Sequence, residues 1–216
     1  MLQVYLVRHG ETEWNVARRI QGQSDSPLTA QGEQQAYQVA KRVKTLGITH
    51  IFTSDLGRTR RTTEIITQSC HHCEVVEDPN LRELNMGVLE MRDIDTLSPQ
   101  EETWRKQLVD GTPDGRIPKG ESMAEMAMRM HQVLDRCLAL PPGSRPLLVS
   151  HGMALGCLLS TILGLPASAE RRLRLRNCSL SRVDYQQSPW LASGWVVETA
   201  GDVSHLDTPA LDELQR

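Results

Sequence analysis

The chain has no apolar run long enough to cross a bilayer. Nothing in its 216 residues approaches the roughly 20 consecutive apolar residues that a membrane helix needs. An excess of one charge is missing too. The formal net charge is -3 at pH 7, so no general positive field draws the chain to nucleic acid or anionic lipid. A local basic site for a small anion stays open. Cysteine is sparse and odd in number: Cys70, Cys73, Cys137, Cys157 and Cys178 show no framework spacing. That excludes a disulfide scaffold and suits a reducing cytoplasm. The opening Met1 to Val7 has no basic leader and meets Arg8 early, so no signal peptide is expected and the location is expected to be cytoplasmic.

Cys70-His71-His72-Cys73 resembles a metal clip, but no second pair follows at zinc-like spacing. It falls between a predicted helix and a predicted strand, so these are expected to be loop residues, and no metal is expected. A chain of this length, 39% apolar and 24% charged, is expected to fold as one domain over residues 1–216.

Leu2 to Val7 reads as a buried strand. Thr29 can cap a helix to about Leu46, which Gly47 stops. Ile48 to Ser54 reads as a strand, Gly57 to Ser69 as a helix, and Glu74 to Glu77 as a short strand. Leu81 to Gly120 differs, with three prolines and four glycines. It is expected to be a lid-like excursion with one helix near Gln100 to Val109. Ser122 opens a helix with capping-box spacing to Glu125 that runs to about Leu140. Pro146 to Ser150 is the next strand and Met153 to Leu163 the next helix. The final third reads as strand-like: Leu173, Leu175 and later apolar residues alternate with polar ones, and Trp195-Val196-Val197 follows a glycine turn. An irregular tail follows from Asp202. The strand–helix alternation predicts an α/β fold, a three-layer α/β/α sandwich with a mostly parallel sheet.

Four motifs fall after strands or on loops, where ligands bind in such sheets. Arg8-His9-Gly10 follows the first strand. Imidazole is a nucleophile near neutral pH, and a neighbouring guanidinium is a planar donor fork for phosphate oxygens. Asp55-Leu56-Gly57-Arg58-Thr59-Arg60-Arg61 follows the second strand and opens a helix whose first amides favour anions. Arg58 is placed to join the site. Of Arg60 and Arg61, at least one is expected to be a solvated surface charge, and Arg60 stays a candidate substrate contact. Glu83 is a candidate proton donor to a leaving alkoxide, against a plainer reading as an exposed salt bridge with Arg82. His151-Gly152 follows the strand ending at Ser150. A second histidine there, cationic or donating, can stabilise a transferring phosphoryl group.

Arg8-His9-Gly10-Glu11-Thr12, Trp14-Asn15, Gly22, Leu28-Thr29, Gly32, Ser54 to Arg60, Thr62, Glu83 and His151-Gly152 together resemble the histidine phosphatase superfamily. Within it the chain is similar to the phosphoglycerate mutase branch, in the GpmB-like subgroup, over nearly its whole length. The resemblance implies that His9 takes up a phosphoryl group as a covalent phosphohistidine. It implies a phosphate pocket of Arg8, Arg58 and His151, lined also by Asn15, Gln21 and Gly22, with Glu83 as acid and then base. No metal is implied.

The resemblance covers both phosphatases and mutases. Mutases of this branch carry a tyrosine three positions after the glutamate, where this chain has Met86, and a methionine donates no hydrogen bond. They also tend to be longer, with more basic residues in the insertion, a role Arg105 and Lys106 could fill in part. Both departures favour a phosphomonoesterase that needs no cofactor. The alternative is a mutase interconverting 3- and 2-phosphoglycerate with 2,3-bisphosphoglycerate. Two rivals from other classes are a phosphate-binding protein without catalysis and a metal-dependent hydrolase, the second disfavoured by arginines that repel a cation. The expected partner is a small phosphorylated metabolite, with neither nucleic acid nor membrane, and the chain is expected to be a monomer or homodimer.

Overall fold

The computed structural model describes residues 1–70, 72–110, 112, 114–169, 172–187, 189–190 and 194–207. Strands and helices alternate along them. The order is β1 (Leu2–Arg8), α1 (Glu13–Val16), α2 (Ala30–Lys44), β2 (His50–Thr53), α3 (Gly57–Thr67), β3 (Glu74–Glu77), α4 (Pro99–Val109), α5 (Met123–Leu138), β4 (Pro146–Ser150), α6 (Gly152–Ile162), β5 (Leu180–Tyr185) and β6 (Trp195–Asp202). Single 3₁₀ turns sit at Pro79–Leu81, Gly87–Leu89 and Ile94–Thr96.

The six strands form one sheet in the order β3-β2-β4-β1-β5-β6. The first four pair in parallel. Strand β5 runs antiparallel to β1, and β6 antiparallel to β5. So β6 regains the direction of β1, and β5 alone is reversed among the described residues. The mostly parallel sheet is as expected.

Side chains alternate across a strand, and here both faces are covered. Val4, Leu6, Phe52, Leu148 and Val183 face a cluster with Met126, Met130 and Leu134 of α5 and Leu155, Leu158 and Leu159 of α6. Tyr5, Val7, Ile51, Leu147 and Val149 face a second cluster with Val39 and Val43 of α2 and Ile65 and Ile66 of α3. Because both faces are buried, β1 and β4 read as continuous apolar runs. The result is the expected three-layer sandwich.

The excursion from Leu81 to Gly120 is stitched down along its length. Leu81, Leu84, Leu89 and Ile117 are fully buried, and Leu108 of α4 nearly so, all in the α5–α6 cluster. Its turns thus lie on the core rather than hinging above it.

Two expectations about the last third need correction. Residues 172–176 form no strand; the Leu175 carbonyl, which would join a ladder, instead accepts from Arg8. The irregular tail begins one residue later than expected, since β6 runs through Asp202. Residues 208–216 and His71 lie outside the described residues.

Candidate active site

The parallel ladder sets the first half of the site. Arg8 pairs with Ser150 in β4, and Thr53 with Val149. His9 and His151 each stand one residue past the Arg8–Ser150 pair, and Ser54, one past the Thr53–Val149 pair, ends one step earlier beside them. The His9 amide donates to the Ser150 carbonyl (3.0 Å), and the Ser54 amide to the Val149 carbonyl (3.0 Å). The two imidazoles come to 5.2 Å between ring centroids.

The hydrogen bonds fix which ring nitrogens carry protons. His9 Nδ1 lies 2.7 Å from the Gly10 carbonyl. A carbonyl only accepts, so Nδ1 bears the hydrogen and Nε2 of the neutral ring keeps its lone pair. Arg58 Nε donates to His151 Nδ1 (3.1 Å), and His151 Nε2 lies 2.9 Å from Ser54 Oγ. An arginine only donates, so the single proton of neutral His151 is on Nε2 and goes to Ser54.

Both rings are almost wholly buried. For His9, burial above all, then the Arg58 and Arg8 charges, holds the pKa well below the usual imidazole value. The same holds for His151, with burial first, then Arg58, His9 and Arg8. Both are therefore neutral at pH 7. His151 is thus neutral here, and its one N–H goes to Ser54.

The arginines are placed by backbone carbonyls. Arg8 is buried and donates Nη1 to Leu175 O (2.8 Å). Its guanidinium lies against the first residue of α6. A Cβ on Gly152 would stand 3.3 Å from Arg8 Cζ and Nε, so glycine there permits the approach. Arg58, in the first turn of α3, donates Nη2 to Gly22 O (2.7 Å) and Nη1 to Ser24 O (2.7 Å) and Asp25 Oδ1 (3.1 Å). Asp25 also accepts from the Gly57 and Arg58 amides. It thereby caps α3, whose N-cap Leu56 has no side-chain oxygen.

The loop that supplies those carbonyls is itself clasped. Glu90 Oε1 accepts from the Gln23 amide (2.8 Å), and Oε2 from the Ser24 amide (2.8 Å) and hydroxyl (2.6 Å). Gly22 sits at φ +55, and a Cβ there would meet Glu90 Oε1 at 2.4 Å. The position therefore calls for glycine twice over, for conformation and for space.

Glu83 does not pair with Arg82. Arg82 closes a bidentate pair with Asp55. Instead Glu83 Oε1 accepts from the Leu84 amide (2.9 Å) and the Ala154 amide (3.0 Å), and Oε2 from the Met153 amide (3.0 Å). The carboxylate thus lies on the N-terminus of α6, directly after His151. Three acceptor positions are taken, and one on Oε2 remains for a proton or a water.

The other expected contacts divide. Gln21 is buried, and its Oε1 meets no donor among the described residues. Asn15 Oδ1 accepts from the Thr12 amide (3.0 Å) and Asn177 Nδ2 (3.4 Å). It thus reaches His9 through Asn177, which donates to the His9 carbonyl (3.1 Å). Arg60 is turned away: two residues on from Arg58 is about 200° around a helix, and its fork closes on Glu77 at 2.8 and 2.6 Å at the surface. Arg105 pairs with Glu102 one turn back on α4 (2.6 Å), and Lys106 is exposed. Neither arginine presents a free fork to the His9 site.

Sequence reasoning missed Ser54, Asp25, Glu90 and Asn177. Ser54-Asp55 lay inside a motif already singled out, so Ser54 could have been found. Cys73 donates to the Ile48 carbonyl (3.2 Å) at the edge of the sheet, and no metal-holding cluster of His, Cys, Asp or Glu occurs among the described residues.

A neutral histidine with a free lone pair, beside two buried guanidiniums and with the Glu83 carboxylate on the helix that follows His151, is an arrangement suited to phosphoryl transfer. The comparisons agree. The histidine phosphatase superfamily (branch 1) model matches residues 4–198, and the chain belongs to that superfamily. A protein of Cronobacter sakazakii named "Probable phosphoglycerate mutase GpmB" is 79% identical over all 216 residues, covering the whole of both chains. The YhfR structure of Bacillus stearothermophilus matches with a TM-score of 0.83 at 28% identity, covering 95% of this chain and 99% of its own. A mycobacterial glucosyl-3-phosphoglycerate phosphatase, solved with VO3, matches with a TM-score of 0.78 at 25% identity over 93% of this chain and 99% of its own. The protein is thus an enzyme of this superfamily, acting on small phosphorylated substrates.

Proposed function

We propose that the chain is a phosphomonoesterase that works through a phosphohistidine at His9. His9 Nε2 attacks phosphorus in line and the P–O ester bond breaks. The leaving alkoxide takes its proton from Glu83. Water then attacks the phosphohistidine and gives its proton to Glu83, releasing inorganic phosphate and free His9. Arg8 and Arg58 balance the charge on the phosphoryl oxygens. Neutral His151 orients Arg58 through the Nε–Nδ1 bond. No cofactor is needed in this cycle.

The observation that carries hydrolysis over transfer is Met86. It is 8% exposed, its amide is bonded to Glu90 (3.2 Å), and it offers no hydroxyl to hold a phosphoglycerate for return of the phosphoryl group. The second reading, a 2,3-bisphosphoglycerate-dependent mutase, is favoured by the name of the 79% identical relative.

Incubation with 3-phosphoglycerate, with and without 2,3-bisphosphoglycerate, separates them. Phosphate release without 2-phosphoglycerate supports the phosphatase. Fast isomerisation that depends on the bisphosphate replaces it with the mutase. Acid-labile phosphate on His9 after exposure to substrate is expected in either case and would be missing from a mere binder.

A further inference from the structure

The loop that carries Glu83 is gripped by a charged pair, Arg129 of α5 and Glu121 just before that helix. Arg129 Nη1 donates to Asn80 O (2.7 Å) and Arg82 O (2.6 Å), and Nη2 donates to Glu83 O (3.0 Å). Its remaining donors go to Glu121, Nε to Oε2 (3.0 Å) and Nη2 to Oε1 (2.5 Å). All five guanidinium N–H groups are thereby used. Glu121 Oε1 also accepts from the Asn85 amide (2.8 Å), and the Glu121 amide donates to Asn85 O (3.1 Å). Both side chains are largely buried, at 15% and 16% exposure.

So residues 80–85, which have no strand partner, have four of their backbone groups held by two side chains. Glu83 sits in the middle, and its carboxylate lands on the Met153 and Ala154 amides. A carbonyl facing a protein interior needs a partner. Three of them converge here on one planar fork, which a flexible single-point ammonium cannot replace.

We propose that Arg129, seated on Glu121, is a positioning residue for the proton transfer at Glu83. It fixes the loop so that the carboxylate reaches both the N-terminus of α6 and the leaving oxygen. The inference rests on Glu83 acting as the acid in the phosphatase reading above.

The test compares kcat/KM on an alkyl phosphate, whose alkoxide needs a proton, with that on p-nitrophenyl phosphate, whose leaving group departs without one. In Arg129→Lys the alkyl ester should lose about 10- to 100-fold and p-nitrophenyl phosphate less than about threefold. Glu83→Gln should show the same dependence on leaving group, and the double variant no further loss on the alkyl ester. Glu121→Gln, milder for folding, should shift in the same direction. Equal losses on both esters, or losses that add to Glu83→Gln, would overturn the proposal. Amide hydrogen exchange at Leu84, Met153 and Ala154 should quicken in Arg129→Lys while the Tm stays within a few degrees. Unchanged exchange there would also overturn it. An inactive wild type would instead sink the phosphatase reading, and the exchange result would still decide the clamp.

Discussion

The two halves of the site are held in place by different means. Arg8, His9, Ser54 and His151 stand where the β1–β4–β2 register puts them. They cannot shift without breaking a parallel ladder buried on both faces. Gly22 to Asp25, Glu83 and Glu90 stand on loops, and side chains brought from elsewhere hold them: Asp25 on the first turn of α3, Glu83 on that of α6, Glu90 across the Gln23–Ser24 amides, and Arg129 behind Glu83. The strand-end half holds the atoms that would bond phosphorus. In the proposed mechanism the loop half would handle the proton and the fit of the ester. One half is set by sheet geometry, the other by a few charge-assisted hydrogen bonds, each separable by one substitution.

The comparison breaks most sharply at His9. His9→Ala removes the lone pair at Nε2 and should lower turnover by about 10⁴-fold or more. The strand itself should survive, because the His9 backbone amide still reaches Ser150 O. Phosphate release and Tm, measured together, check this. Substantial turnover in a folded His9→Ala protein would remove the phosphohistidine mechanism altogether.

A smaller effect is expected in the loop half. Glu90→Ala leaves the Gln23 and Ser24 amides without their carboxylate and loosens the carbonyls that aim Arg58. Losing bonds to a charged group costs about 1.5–3 kcal/mol each, and water and loop relaxation return much of that. KM for the ester should rise about tenfold while kcat changes less than about threefold. An unchanged KM would mean that Arg58 orders the loop, rather than the reverse.

The same contrast explains what the sequence could disclose. An apolar run ending in Arg8-His9 and another ending in Ser150-His151 are local patterns, and a strand end in a parallel sheet is a place with known use. Arg58 was legible for the same reason, in the first turn of a helix after β2. The clamps were not. Glu90 acts 66 and 67 positions away on Ser24 and Gln23, and Arg129 acts 46 away on Glu83. Nothing periodic links such pairs. Glu83 could be nominated but not placed, because its partners are backbone amides of a helix 70 residues on. Arg60 and Arg105 were read as candidate contacts from charge alone. Helix phase turns the first outward, and Glu102 takes up the second. Residues 172–176 alternate like a strand, yet the demand of Arg8 for the Leu175 carbonyl overrides the pattern.

The smallest expected effect separates the halves by pH. His9 and His151 have pKa values held well below 6.5 in the fold, by burial first and then by the arginines. In the unfolded chain they titrate near 6.5. Between those values the unfolded state binds more protons than the native state, so stability rises with pH. The contribution is complete above about pH 6.5 and is lost progressively as pH falls toward the native values. His131, also lowered by burial, adds with the same sign. The carboxylates behave alike but in a lower window. Asp55, depressed by the Arg82 hydrogen bond, and Asp95, depressed by that of Arg18, hold their contribution until the pH falls below their usual range near 4. Thermal unfolding should therefore weaken in two stages, the first setting in as the pH falls below about 6.5, from histidine. A chain of this length loses about 2–4 °C of Tm per kcal/mol. Replacing His9 and His151 by glutamine should shrink the first stage to the share of His131 and leave the second. Inorganic phosphate should oppose the first stage as well, since a dianion between Arg8 and Arg58 offsets the charges that depress His9. A slope undiminished in the double glutamine variant would place the acid sensitivity outside the strand-end half.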